Sequence, residues 1–323
     1  ESGAGRFTDF LLPPLTFHEY LHLKGLADMV FPTDGTWASQ SVEWASTLDL
    51  PELNRLFVHY INLGGYPEIV MNQSLQENPG RFIKSDIVDK VLLRDLPSLY
   101  GISDVQELNS LFNTVAFNTG KEFSLDSLSH SSHVQKATIK KYLEYLQAAY
   151  LIRIVERVDS NARRFQRTPS FKIYLTNPSI RRALFAPVTE TDPEIGELVE
   201  TAIFAQWAHR PKPVFYASWK MGRQEGEVDI VGLNAHLRPA FAVQVKWSDR
   251  YFEKPSELKS LLAFMENNGL EQAMVTTISK SGQKEVDGKI LHFVPAALYA
   301  FMVGRNTLKV QSDLWTGFIS DTF

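Results

Sequence analysis

The chain contains no cysteine. That excludes disulfides and thiolate metal sites and fits a reducing cytoplasm, the location expected here. No apolar run approaches the roughly 20 residues needed to cross a bilayer, and the N-terminal segment lacks the basic start and apolar stretch of a signal peptide. No membrane partner is therefore expected. Charge of one sign is not in excess either: the formal net charge is −4, so any nucleic-acid binding must come from local patches. No Gly-x-x-x-x-Gly-Lys-Ser/Thr loop occurs, so these residues alone should not hydrolyse ATP. No Gly-x-Ser-x-Gly occurs to support a serine triad. The histidines offer one zinc-like spacing, His130-x-x-His133 in a polar turn, which reads as capping or solvent-exposed.

What is present suits a soluble globular protein of two or three domains: 323 residues, 44% hydrophobic and 22% charged. The opening Glu1-Ser2-Gly3-Ala4-Gly5-Arg6 reads like the middle of a longer protein. Residues 1–75 read as a connector. In it Thr16 and Glu19 form a helix-opening capping box, and a helix over 52–62 is stopped by Gly64-Gly65-Tyr66-Pro67. Residues 76–190 are helical by apolar spacing, with Ile83, Ile87 and Val91, then Leu108, Leu111, Phe112 and Val115, recurring every three to four positions. A short Ser124-capped helix, a turn, a second helix from Lys136 and an apolar strand from Leu151 predict a winged helix-turn-helix. Lys136, Lys140 and Lys141 on the second helix, with Arg163, Arg164 and Arg167 beyond it, are candidate phosphate contacts; the same residues also suit a solvated packing face. Phe171 to Leu175 alternates as a short strand inside this basic stretch.

Residues 191–323 change pattern to helix, three strands, helix, two strands and helix, an α/β order with a mixed sheet flanked by helices. The chain as a whole is thus expected to be an α+β or α/β multidomain protein. Asp229 sits in the apolar strand Val228 to Val231, where a charge is costly unless paired or bound to metal. Fifteen residues later, period-two alternation puts Gln244 and Lys246 on one strand face with Val245 opposite. Glu200, on the helix before these strands, could add a fourth group. Hard oxygen donors of this kind suit Mg²⁺.

This order and spacing resembles the PD-(D/E)xK nuclease superfamily, over about a third of the chain. The resemblance implies a metal, Mg²⁺ or Mn²⁺, bridged by Asp229, with Gln244 as an additional ligand and Glu200 as the helix-borne acid. Lys246 would orient or activate the attacking water. Gln244 departs from the commoner glutamate, removing one negative charge and weakening metal binding. A second resemblance spans nearly the whole chain: Leu12-Pro13-Pro14-Leu15-Thr16-Phe17-His18-Glu19-Tyr20, Gly64-Gly65-Tyr66-Pro67-Glu68, Leu93-Arg94-Asp95-Leu96 and Lys172-Ile173-Tyr174-Leu175-Thr176 look like the C-terminal portion of bacterial and archaeal AAA-type ATPases. It implies an ATPase core as partner in the full-length chain, ATP as a ligand only there, and Arg6 as the residue nearing a nucleotide phosphate. The combined expectation is Mg-dependent cleavage of nucleic acid, DNA first. The alternatives are a catalytically silent DNA- or protein-binding regulator and an assembly platform for the ATPase.

Overall fold

The computed structural model describes residues 13–37, 40–162, 170–207, 213–221 and 224–316. Arg6, Arg163, Arg164 and Arg167 lie outside the described residues. Helix α1 (Phe17–Leu23) leads to a hairpin, β1 (Val30–Trp37) and β2 (Gln40–Thr47), and to α2 (Leu50–Leu63). Short helices α3 (Pro67–Met71), α4 (Gln73–Glu77) and α5 (Pro79–Arg81) follow, then wide π-helical turns at Phe82–Val88 and Val91–Asp95, then α6 (Leu96–Tyr100). Next come α7 (Val105–Phe117), β3 (Glu122–Ser124), α8 (Leu125–Ser132), α9 (Lys136–Ala148), β4 (Ile152–Val158), β5 (Ser170–Leu175) and α10 (Ser179–Leu184). The last stretch holds α11 (Ile195–Gln206), β6 (Val214–Met221), β7 (Gln224–Leu233), β8 (Pro239–Gln244), α12 (Arg250–Glu253), α13 (Lys259–Asn268), β9 (Gln272–Thr277), β10 (Gly282–Val286), β11 (Lys289–Pro295) and α14 (Ala296–Thr316). No helix among the described residues is long and apolar enough to cross a membrane.

The architecture is mixed α and β, built on one nine-stranded sheet in the order β10-β11-β9-β8-β7-β6-β4-β5-β3. The β11–β9, β9–β8 and β6–β4 pairs are parallel and the rest antiparallel. Alternation along each strand separates the two faces. Ile230, Val243, Met274 and Val294 turn to a core completed by α1, α2, α11 and α14. Val228, Ala242, Ala273 and Val275 turn to the other face, where Leu261, Phe264 and Met265 of α13 cover them. A third core joins α7, α8 and α9 to β3, β4 and β5 through Leu111, Phe112, Ile139, Leu143, Ile152 and Ile173.

Two features depart from the connector-and-boundary reading. First, the N-terminal segment is built into the large core. Phe17, Tyr20, Phe57 and Tyr60 are fully or almost fully buried there, the Phe17 backbone N–H donates to Gln206 Oε1 of α11 at 2.8 Å, and the expected Thr16–Glu19 capping box is formed. Second, the sheet runs across the expected division near residue 190, because β4 pairs with β6 at Arg157–Tyr216 and Val158–Ala217. The helix-stopping Gly65 has a further reason to be glycine: a Cβ there would lie 2.1 Å from the Asn177 side chain. His133, as expected for a capping residue, ends α8 in the left-handed region at φ 61°.

Candidate functional site

The site forms on β7 and β8, with side chains of β5 and α11 reaching towards it across the sheet. Strand β7 bulges there: Phe215 pairs with Val231 and Ala217 with Val228, so Asp229 and Ile230 together face the single residue Tyr216. A bulge re-aims a side chain that regular alternation would commit elsewhere. Asp229 is 3% exposed. Its Oδ2 accepts from Gln244 Nε2 at 2.5 Å and from the backbone N–H of Val245 at 2.7 Å. Lys246 brings its ammonium to 3.8 Å from the same oxygen. Its backbone is held by Thr276, whose Oγ1 accepts from Lys246 N–H at 2.7 Å and donates to Lys246 O at 2.8 Å, extending the β8–β9 ladder beyond Gln244.

Glu200 projects from α11, whose Leu198, Val199, Ala202 and Ile203 are buried on the core side. Its Oε1 accepts from the hydroxyl of Tyr174 at 2.5 Å and from Lys172 Nζ at 2.9 Å. Lys172 also donates to Glu227 Oε1 at 2.7 Å, and its ammonium stands 5.5 Å from the centre of the Tyr216 ring. The Tyr216 hydroxyl in turn donates to Glu122 Oε2 of β3 at 2.9 Å. Beside these groups is a cavity of about 280 Å³ lined by Gly120, Lys121, Glu122, Lys172, Glu197, Glu200 and Glu227.

Charges packed this closely change one another's affinity for protons. Burial first, then the nearby Glu200, push Asp229 up to about 7, against the opposing pull of Lys246 and Lys172. Burial alone would lower Lys172, but Glu200, Asp229 and Glu227 outweigh it and hold the ammonium well above the usual lysine range. Tyr174 is driven upward by burial and then by Glu200, so it remains a hydrogen-bond donor.

Three of the four residues singled out from sequence come together, Asp229 in contact with Gln244 and Lys246, while Glu200 makes its own contacts to Lys172 and Tyr174 and acts on Asp229 by its charge. Gln244 differs from its expected role in one respect: its amide nitrogen, not its oxygen, meets Asp229, so ligation would require the amide to be reversed. Among the described residues no group of three or more His, Cys, Asp or Glu side chains is arranged to hold a metal ion. Sequence reasoning missed Lys172, Tyr174 and Glu227. The signal was available: Lys172 and Tyr174 alternate in Phe171 to Leu175, and a lysine in an apolar strand demands a partner as much as Asp229 does. The candidate nucleic-acid residues lie elsewhere. Lys136, Lys140 and Lys141 are exposed on α9, and Lys136 pairs with Asp126 of α8.

Residues 54–192 match the family described as "Domain of unknown function (DUF8612)". The chain is similar to an uncharacterized protein of Haemophilus influenzae, 26% identical over 185 residues that make up 55% of this chain and 40% of the relative. It is also similar to an uncharacterized protein of Methanocaldococcus jannaschii, 26% identical over 156 residues, 47% of this chain and 32% of that protein. No solved structure matches the chain. The aligned segments thus span less than half of either relative's own length.

Proposed function

We propose that the chain is the C-terminal portion of an AAA-type ATPase, with a winged helix-turn-helix that engages DNA and a PD-(D/E)xK-like domain that cleaves phosphodiesters with Mg²⁺ or Mn²⁺. The observation that carries this reading is the contact of buried Asp229 with Gln244 and Lys246 across two adjacent strands, with Glu200 of α11 near enough for its charge to act on Asp229. The order α7, β3, α8, α9, β4, β5, with β5 pairing both β4 and β3, supports the winged-helix part.

The residue types at the centre are those a divalent ion would use, although as arranged they form no three-carboxylate cluster and Gln244 turns its N–H to Asp229. Carboxylates are the hard oxygen donors such an ion takes, and the Lys172 ammonium lies between Glu200 and Glu227 beside the centre. Asp229 and Glu200 would hold the metal, with Gln244 joining through its carbonyl. The ion, when bound, supplies Lewis-acid polarisation of a phosphate and a more acidic water. The chain's own residues do the rest. Lys246, its side chain 30% exposed, offers an ammonium to a phosphate oxygen or water at the rim. The Val245 N–H fixes the orientation of the Asp229 carboxylate, and the Tyr174 hydroxyl fixes Glu200.

Cleavage of plasmid and branched DNA with Mg²⁺ or Mn²⁺ tests the reading. Wild type should cut, and Asp229→Ala and Lys246→Ala should lose at least about a hundredfold, as removal of groups acting on the reacting phosphate does. Equal activity in all three would overturn it. The donation from Gln244 Nε2 to Asp229 favours a second reading, a catalytically silent regulator that binds DNA or protein. Calorimetry separates the two, since a silent module gives no Mg²⁺-dependent heat that Asp229→Ala removes.

A further inference from the structure

We infer that the phosphate backbone of duplex DNA is gripped at the carboxyl ends of strands β8 and β9, by a basic lip of Lys246, Arg250, Lys280 and Lys284 that one internal carboxylate, Asp249, assembles. The inference rests on the nucleic-acid reading above and names the surface that takes the strand. It requires no metal ion.

The first observation behind it is topological. Strands β8, β9 and β11 run parallel, so their carboxyl ends share one edge of the sheet, and open α/β sheets hold their ligands outside that edge. Lys246 follows β8 by two residues and Lys280 follows β9 by three. Strand β10, antiparallel to β11, starts back from the same edge at Gly282 and carries Lys284 near its start.

The second observation is how the two loops are joined. Asp249 Oδ1 accepts from the backbone N–H groups of Ile278 at 3.0 Å, Ser279 at 2.8 Å and Lys280 at 3.3 Å, and Oδ2 accepts from the Ser279 hydroxyl at 2.6 Å. Charge-assisted bonds of this kind are the strong ones. They zip the loop after β8 to the loop after β9, set Lys280 beside Arg250, and engage the one carboxylate between them with internal donors. Each loop has a further anchor. Asn54 Nδ2 of α2 donates to Ile278 O at 3.0 Å, and Thr276 holds the backbone of Lys246.

The third observation is what faces outward. In a chain of net charge −4, a polyanion must be met by a local positive surface. Lys280 is exposed. Arg250 is 65% exposed although its Nε donates to Glu257 Oε2 at 2.7 Å, and its Nη groups carry further N–H donors. Phe252 meets Phe293 edge-on at 5.3 Å between centroids and seats the Lys284 ammonium 4.6 Å from its own ring centre. Period-two alternation sends Glu285 to the opposite face of β10. Glu253 and Lys254, exposed side by side at the end of α12, offset each other. Lys246 closes the lip on the side of Asp229, 3.8 Å from its carboxylate. A strand lying along these cations is thereby led to the Asp229 centre.

Anisotropy of a labelled DNA duplex titrated with the full chain in EDTA, across a series of KCl concentrations, tests this. Lys280→Ala and Lys284→Ala should each reduce the slope of log affinity against log salt by about 1, and by about 2 together. Asp249→Ala is the sharper variant. It makes the protein more positive, which by charge alone tightens DNA binding, yet by unzipping the loops it should weaken binding about threefold or more, since loose loops must be ordered on association. Circular dichroism establishes that each variant is folded, and the exposed Lys280→Ala carries the test if Asp249→Ala is not. Wild-type slopes in both lysine variants overturn the lip and leave DNA to α9. Tighter binding by folded Asp249→Ala overturns the assembly by Asp249. Absence of duplex binding by the wild type at low salt overturns the nucleic-acid reading and the lip with it.

Discussion

Two groups of lysines in this protein obey opposite physics. Lys172 is 2% exposed, touches two carboxylates and an aromatic face, and bridges strand β5 to partners 28 and 55 residues away in sequence. Lys136, Lys140 and Lys141 stand exposed on one helix, and the ion pair of Lys136 joins side chains that are 54% and 77% exposed. Buried charge is committed to one arrangement because leaving any member unpaired is expensive, whereas exposed charge is exchanged with water and salt at little cost. The contrast explains why the buried group defines a site, while the exposed group defines at most a surface on which long-range fields act.

The largest test of the contrast is stability. Lys172→Met should destabilise the metal-free protein by about 3–5 kcal/mol, the usual result of stranding buried charges, while Lys136→Ala should change it by less than about 1 kcal/mol. Urea unfolding measures both, and similar losses for the two would erase the distinction. Next in size is Tyr174→Phe. It retains the ring stacked on Phe204 at 3.9 Å between centroids but removes the donor to Glu200, and should lose about 1–3 kcal/mol. A neutral result would mean that Lys172 alone satisfies Glu200.

A third, smaller effect sharpens the comparison by way of two half-buried histidines. His18 and His59 are both lowered to about 4, each by burial first, then His18 by His22, Arg305 and Lys309, and His59 by Lys24, Arg55 and Arg182. His59 Nδ1 lies 2.8 Å from the Tyr20 hydroxyl, a hydrogen bond whose donor is set by the imidazole tautomer. Between about 4 and the ordinary histidine value of about 6.5 the unfolded chain binds more protons than the folded one. Stability should therefore be full above about pH 6.5 and fall as the pH is lowered towards 4. Melting temperatures across that window should flatten in His59→Gln, and an unchanged slope would remove His59 from the account.

How much was legible in the sequence follows the same division. Glu200, Asp229, Gln244 and Lys246 could be found because helical spacing and strand alternation are local rules, and an acid in the apolar run Val228 to Val231 breaks one of them visibly. Lys172 broke the same rule in Phe171 to Leu175, but it stands among arginines and was absorbed into a basic stretch. Its partners lie on α11 and β7, and no local pattern links those to β5. The hairpin β1–β2 and the strand β10 were also invisible. β10 is an edge strand with mostly exposed side chains, so it carries little apolar alternation, and the hairpin owes its place to packing against the distant β11 region, where Trp37 and Trp44 meet His292 at 5.0 and 5.7 Å between ring centroids. The union of β3, β4 and β5 with the rest of the large sheet rests on two residue pairs between β4 and β6, and pairings between distant strands leave no signature in either strand's own sequence.

The smallest expected effect concerns the exposed lysines, and it separates their two possible uses. Lys140→Ala and Lys141→Ala should each leave stability within about 0.5 kcal/mol of wild type, because an exposed helix side chain away from caps and cores contributes little. If α9 lies against a phosphate backbone, each should also reduce the slope of log affinity for duplex DNA against log salt by about 1, since every neutralised phosphate releases nearly one counterion. Lys136→Ala should reduce it less, because its ammonium is already engaged by Asp126. The comparison must be of slopes and not of affinities at one salt concentration: a general loss of positive charge weakens binding at low salt whether or not the lysine touches DNA, but only a direct contact removes its share of counterion release. Equal slopes for wild type and both variants would place α9 on a solvated face, with no share in any phosphate contact.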